Sequence, residues 1–124
     1  MNRRLILLAP ASVAGFATLA SVAYASCMPM TPGQQRAQAA VIFDGVALEG
    51  PTATGIQRFR VVRYGKGSGP QTVRVNTGYK KGPSGTTVTS VSLVVHRGER
   101  WRIYGQGSAR KVVSTNVCLG SLKL

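Results

Sequence analysis

Five arginines, Arg58, Arg60, Arg74, Arg100 and Arg102, alternate with apolar residues along three short stretches of the chain. Along a strand with one buried face, successive side chains point in opposite directions. Each of these cations is therefore expected on an outer, solvent-facing side. A guanidinium binds oxyanions through N–H donors in a fixed planar fork, so the chemistry of such a face is anion binding. Its ligands would be polysaccharide, lipid headgroups or extracellular nucleic acid. Single-stranded nucleic acid would also call for exposed aromatic rings between the cations, on which bases can stack. Tyr64, Tyr79 and Tyr104 are candidates for that role, whereas Phe43, Phe59 and Trp101 fit a core. No specific nucleic acid is expected. Charge alone reports only non-specific attraction, and the competing reading is a solvated basic face with no ligand.

Catalysis finds few groups to work with. The chain has a single histidine, His96, in a turn-like His96-Arg97-Gly98-Glu99 segment, and three carboxylates, Asp44, Glu49 and Glu99. General acid–base chemistry needs two such groups held near each other, and Glu99 is expected to pair with neighbouring arginines. No Gly-x-Ser-x-Gly elbow marks a nucleophile. The Gly65-Lys66-Gly67-Ser68-Gly69 run is followed by Pro70 and a strand, not by the helix that a phosphate loop requires. It reads as a hairpin connection. The expectation is a non-enzymatic protein with no cofactor and no metal site.

The two cysteines, Cys27 and Cys118, stand near the two ends of the region after residue 25. In an oxidising compartment such a pair reads as a disulfide tying the termini together. A metal pair is not supported, because no histidine or second cysteine lies at ligand spacing. The compartment follows from the first 25 residues. Arg3 and Arg4 form a positive start, residues 5–22 are uncharged and mostly apolar, and Ala23-Tyr24-Ala25 offers small residues at a cleavage site. This is the pattern of a secretory signal peptide. The apolar run is diluted by Ala, Ser, Thr, Gly and Pro, and a retained transmembrane anchor fits it less well. Lipid attachment at Cys27 is a minor alternative, since Tyr24 stands where lipoprotein processing prefers leucine. Cleavage before Ser26 leaves residues 26–124 as one domain, secreted or periplasmic. In that domain 14 Lys and Arg face three acids, a net charge of +11.

The elements that must position these groups are short. Thr31, Pro32 and Gln34 form an N-cap, first-turn proline and capping-box spacing, predicting a helix of about two turns. Strands are predicted over residues 41–48, with Gly45 at a bulge, and over 57–64, 71–77, 87–95, 100–104 and 112–117. Glycine- and proline-containing turns separate them. Strict alternation gives each strand one buried face, and this spacing argues for a small closed barrel or sandwich.

Several of these segments are familiar in combination: Val41-Ile42-Phe43-Asp44-Gly45-Val46, Phe59-Arg60-Val61-Val62-Arg63-Tyr64-Gly65-Lys66-Gly67 and Val73-Arg74-Val75-Asn76-Thr77-Gly78. The later runs Gly98-Glu99-Arg100-Trp101-Arg102-Ile103-Tyr104 and Ser114-Thr115-Asn116-Val117-Cys118 extend the likeness over nearly the whole domain. The chain resembles the netrin-like module of tissue inhibitors of metalloproteinases, and their small bacterial secreted relatives. The resemblance implies an all-β, five-stranded OB-fold barrel with a short N-terminal helix, and a Cys27–Cys118 bridge holding the N-terminal segment to the barrel. It further implies inhibition of an extracellular or periplasmic metalloprotease through an N-terminal edge of Ser26, Cys27 and Met28. In the animal inhibitors a Cys-x-Cys begins the mature chain and its first amine and carbonyl chelate the protease zinc. Here Ser26-Cys27-Met28 has one cysteine, and the predicted cleavage puts Ser26 first. Two functions are thus expected for an exported domain: a protease-inhibitor-like protein, or a basic module holding anionic envelope polymer. A third reading is a disulfide-stapled scaffold without a soluble ligand.

Overall fold

The computed structural model describes residues 27–124 apart from Ser84 and Ser90, so the segment read as a signal peptide and Ser26 lie outside the described residues. The first element is helix α1 (Pro32–Gln38), which starts as its capping residues dictate. Thr31 Oγ1 accepts the Gln34 N–H at 3.2 Å, and Gln34 Oε1 accepts the Thr31 N–H at 2.9 Å. None of its residues is buried, so polar ties hold it in place. Arg36 donates to Gly65 O at 3.0 Å, Lys66 Nζ to Arg36 O at 2.8 Å, and Gln106 Nε2 to Gln38 O at 2.6 Å.

The remaining elements are strands β1 (Val41–Ala47), β2 (Ile56–Lys66), β3 (Thr72–Asn76), β4 (Lys80–Gly82), β5 (Gly85–Thr87), β6 (Arg100–Gly107), β7 (Val113–Ser114) and β8 (Leu122–Lys123), with a 3₁₀ turn at Val117–Leu119. Five of them close on themselves in the order β1-β2-β3-β7-β6, with β6 returning to β1. The β3–β7 pairing is parallel and the others are antiparallel. The result is the expected all-β, OB-fold-like barrel with one short helix. β4 and β5 form a separate hairpin, and β8 lies along β6.

Alternation fills the barrel. Phe43, Phe59, Val73, Val75, Ile103 and Val113 point inward, and Leu93 and Val95 join them from the loop before β6. Phe43 meets Phe59 edge-on with ring centroids 6.1 Å apart, a favoured aromatic geometry. Closure depends on a narrow seam. β7 pairs only through Val113 and Ser114, to Val75 and Asn76 on one side and to Gly107 and Gln106 on the other. Gly105 makes this approach possible: a Cβ there would fall on the Val113 side chain and within 3.1 Å of Ser114 O.

Three sequence expectations are corrected. The strand expected over 87–95 ends at Thr87, and none of the described residues from 88 to 95 belongs to a strand. Leu93 and Val95 are buried while Val94 is 41% exposed, so the apolar run does mark alternate burial. Its backbone instead takes single bonds, such as Leu93 N–H to Thr77 O at 3.0 Å, outside any ladder. The predicted strand over 112–117 shrinks to β7, because Asn116 accepts the Cys118 N–H and starts the 3₁₀ turn. β8 and the β4–β5 hairpin were not expected.

Cys27 and Cys118 form the expected disulfide, with Cα atoms 5.2 Å apart across 91 residues of sequence. In the chain-entropy account a loop of that length contributes about 4–5 kcal/mol. A second tie is polar. Gln57 points into the barrel end fully buried, where Nε2 donates to Glu49 O at 3.0 Å and to Val95 O at 2.9 Å. It joins the β1–β2 loop to the loop before β6. Gln57→Leu leaves both carbonyls without this donor, and urea unfolding is expected to show a loss of about 1–3 kcal/mol.

Candidate anion-binding face

Strand register decides where the arginines meet. Arg100 on β6 and Arg60 on β2 both stand opposite Val46 of β1, and Arg60 faces Thr72 of β3 on its other side. These four residues make one row across four strands. In the next row Arg102 and Arg63 flank Asp44. On the other side of the first row, Arg58 lies directly opposite Arg74. Neighbouring strands are about 4.8 Å apart, so Arg60 and Arg100 are separated by about 10 Å at the backbone. Phe59, Ile103, Val73 and Val75 occupy the inward positions of the same strands and are buried. All five arginines read from the sequence therefore share the outer face of one sheet region.

Arg63 is a sixth member that strict alternation puts on the wrong side. Counting from Phe59 and Val61, residue 63 should point inward. The register slips between Asp44 and Gly45, which pair with Arg63 and Val61 respectively. Val62 is the extra residue, 44% exposed, and the bulge turns Arg63 outward. The available signal was the expected irregularity at Gly45. That glycine has no room for a side chain, since a Cβ would lie 2.9 Å from the Phe43 ring and 3.0 Å from Arg60 O.

All three carboxylates are engaged within the domain. Asp44 is 4% exposed and lies under two guanidinium groups, with Arg102 donating at 2.7 and 3.1 Å and Arg63 at 3.1 Å. The hydrogen bonds from Arg102 outweigh the cost of burial and hold the Asp44 carboxyl below its ordinary range. Burial pushes Glu49 up, but the side chain and backbone N–H of Arg58 more than offset this and leave it lowered. Arg58 donates to Glu49 through its backbone N–H at 2.8 Å and its Nη2 at 3.2 Å. Glu99 is lowered to about 2, chiefly by the His96 N–H, with further help from Lys123 and Trp101. Its ion-pair partner is thus Lys123 of β8 at 3.0 Å, not an arginine. Among the described residues, Arg60, Arg74 and Arg100 have no carboxylate partner.

The aromatic residues do not form a stacking platform. Tyr64 packs on Phe43 and donates its hydroxyl to Pro70 O at 2.7 Å, while Tyr79 and Tyr104 are half-buried. Burial raises the Tyr64 hydroxyl above its ordinary range. His96 is exposed, and its backbone N–H rather than its ring is bonded to Glu99.

The N-terminal edge is built from different residues. Cys27 is bridged to Cys118 in the 3₁₀ turn, and Met28 is 83% exposed. Beside them lies an open groove of about 350 Å³ lined by Met28, Met30, Gln34, Gln38 and Leu119 together with Cys118. Among the described residues no cluster of His, Cys, Asp or Glu could hold a metal ion, and no helix is long and apolar enough to cross a membrane.

No family model matches the chain, and no curated protein or solved structure matches it. Fold and site thus stand on the chain's own residues.

The lowered carboxylates set the response to acid. A carboxyl whose folded pKa lies below its unfolded value stabilises the fold above the unfolded value and loses that contribution as pH falls through the folded one. For Glu99 the window runs from about 4.5 down to about 2. Thermal stability is expected to fall between these pH values, and Glu99→Gln should flatten that limb in a melting series.

Proposed function

We propose that this chain is an exported, non-enzymatic binding domain that holds anionic envelope polymer against the outer face of β6, β1, β2 and β3. The observation that carries the reading is the convergence of Arg58, Arg60, Arg74, Arg100 and Arg102 on that face while three of them lack a carboxylate partner among the described residues. Asp44 and Glu49 fix Arg102 and Arg58 in place on either side of the row that carries Arg100 and Arg60. Strand faces of this kind on OB barrels serve oligosaccharides as well as oligonucleotides. Tyr104, two residues from Arg102 on the same face, is half-buried and is the one ring in that part of the face among the described residues, which favours a polymer that does not need a row of stacking rings. The disulfide fits an oxidising compartment, and the Arg3-Arg4 start with its apolar run supplies the export signal.

Retention of residues 26–124 on an immobilised polyanion is expected to weaken steeply between about 50 and 200 mM salt. The double variant Arg60→Gln, Arg100→Gln should elute at clearly lower salt while melting at a similar temperature. Unchanged elution would rule the face out.

A second reading has its own observation. The exposed Met28, held in place by the Cys27–Cys118 bridge beside the groove, supports an inhibitor-like contact edge of Ser26, Cys27 and Met28 with a netrin-like relationship. Inhibition of an extracellular zinc protease should then be abolished by one extra residue before Ser26. Neutralising Arg58 and Arg60 should leave it little changed. Persistence of inhibition in the extended chain would count against this edge.

A further inference from the structure

Within the basic face, one cross-strand pairing sets like charges opposite each other. Arg58 and Arg74 are directly opposed on neighbouring strands, where Cβ atoms are about 4.5–5.5 Å apart and like charges destabilise the pairing. Arg60 lies two residues along on the same face, one strand step from Thr72. Glu49 accepts from Arg58 Nε and Nη2, and Arg74 forms no ion pair among the described residues. Arg58, Arg60 and Arg74 against Glu49 give the corner a formal charge of +2.

We propose that this corner, resting on the polyanion reading above, is a cradle for a phosphate monoester carried on the polymer, such as a phosphorylated sugar. A phosphate monoester carries a charge of about −1.5 to −2 at neutral pH and three acceptor oxygens. It can neutralise the corner and receive donors from Arg58, Arg60 and Arg74 together. A uronic-acid carboxylate carries one charge and two oxygens, and leaves the opposed pair half compensated. Guanidinium forks suit phosphate geometry better than point charges do. The Thr72 hydroxyl, level with Arg60, adds a neutral donor at the same row.

The ligand itself brings a pH signature. Its second proton is taken up near pH 6, so binding should weaken as pH falls from about 7.5 to about 5. The protein groups around the corner are Arg58, Arg60, Arg74, Thr72 and Glu49, with Arg100 across Val46 from Arg60. Arginine stays charged throughout this range, and Glu49 is lowered by Arg58. His96 and Arg97 stand beyond Gly50 in the adjoining loop.

The test compares residues 26–124 binding to phosphorylated dextran and to polygalacturonate of matched charge density, with free inorganic phosphate as competitor, from pH 5 to 7.5. The phosphorylated polymer is expected to bind at least about tenfold tighter at pH 7.5 and to lose most of that margin at pH 5. Arg74→Gln should remove the margin while raising the melting temperature of the free protein by up to a few degrees, because the opposed pair is gone. Stronger competition by free phosphate than by the polymer would assign the corner to the small anion instead. Equal, pH-independent binding of both polymers overturns the cradle and leaves the polyanion reading standing. Failure to bind either polymer overturns both. A margin that survives in Arg74→Gln also overturns the cradle.

Discussion

Closure of the barrel through the two residues of β7 is the constraint on which the other features depend. Val113 and Ser114 must bridge β3 and β6, and only a residue without a side chain at position 105 lets them approach. Once the ring is closed, β2, β3 and β6 turn alternate residues to the core and to solvent, while β1 between β2 and β6 is buried along nearly its whole length. Alternation then ceases to be a local pattern and becomes a sorting of the whole chain. Phe43, Phe59, Val73, Val75, Ile103 and Val113 turn in, and the arginines turn out. Gln57 is the exception on the inner side, and its bonds to Glu49 O and Val95 O explain why a polar group is tolerated there.

The electrostatics follow from that sorting. Fourteen cations between residues 26 and 124 share three carboxylates, and each carboxylate is placed where it ties elements together. Asp44 joins β6, β1 and β2 through Arg102 and Arg63. Glu49 fastens the loop after β1 to β2, and Glu99 fastens the loop before β6 to β8. With the acids engaged inside the domain, the remaining positive charge has no internal counterpart. A surface of that kind attracts anions whatever its purpose, and the register that sets Arg58 opposite Arg74 concentrates the charge at one corner of it.

The two ends of the domain are organised separately from that face. The Cys27–Cys118 bridge holds the N-terminal segment to the 3₁₀ turn, while α1 is held by Arg36, Lys66 and Gln106 through backbone carbonyls. Met28 and the adjoining groove share no residue with the arginine rows. Changes at one end therefore need not disturb the other, which is why the two functional readings separate by mutation.

Much of the architecture was legible in the sequence because its causes are local. Thr31, Pro32 and Gln34 carry their own capping chemistry, and the alternation of Arg58, Phe59, Arg60 and Val61 needs only the two-residue period of a strand. The paired cysteines and the scarcity of carboxylates were equally plain. What the sequence could not decide is what lies across from what. The bulge at Val62 that turns Arg63 outward, the pairing of Glu99 with Lys123 through β8, and the loop path of residues 88–99 all depend on partners far away in the chain. The same holds for the arginine face. Its members were named one strand at a time, but the opposition of Arg58 to Arg74 and the row from Arg100 to Arg60 exist only through register, because register is set by closure and not by any single strand.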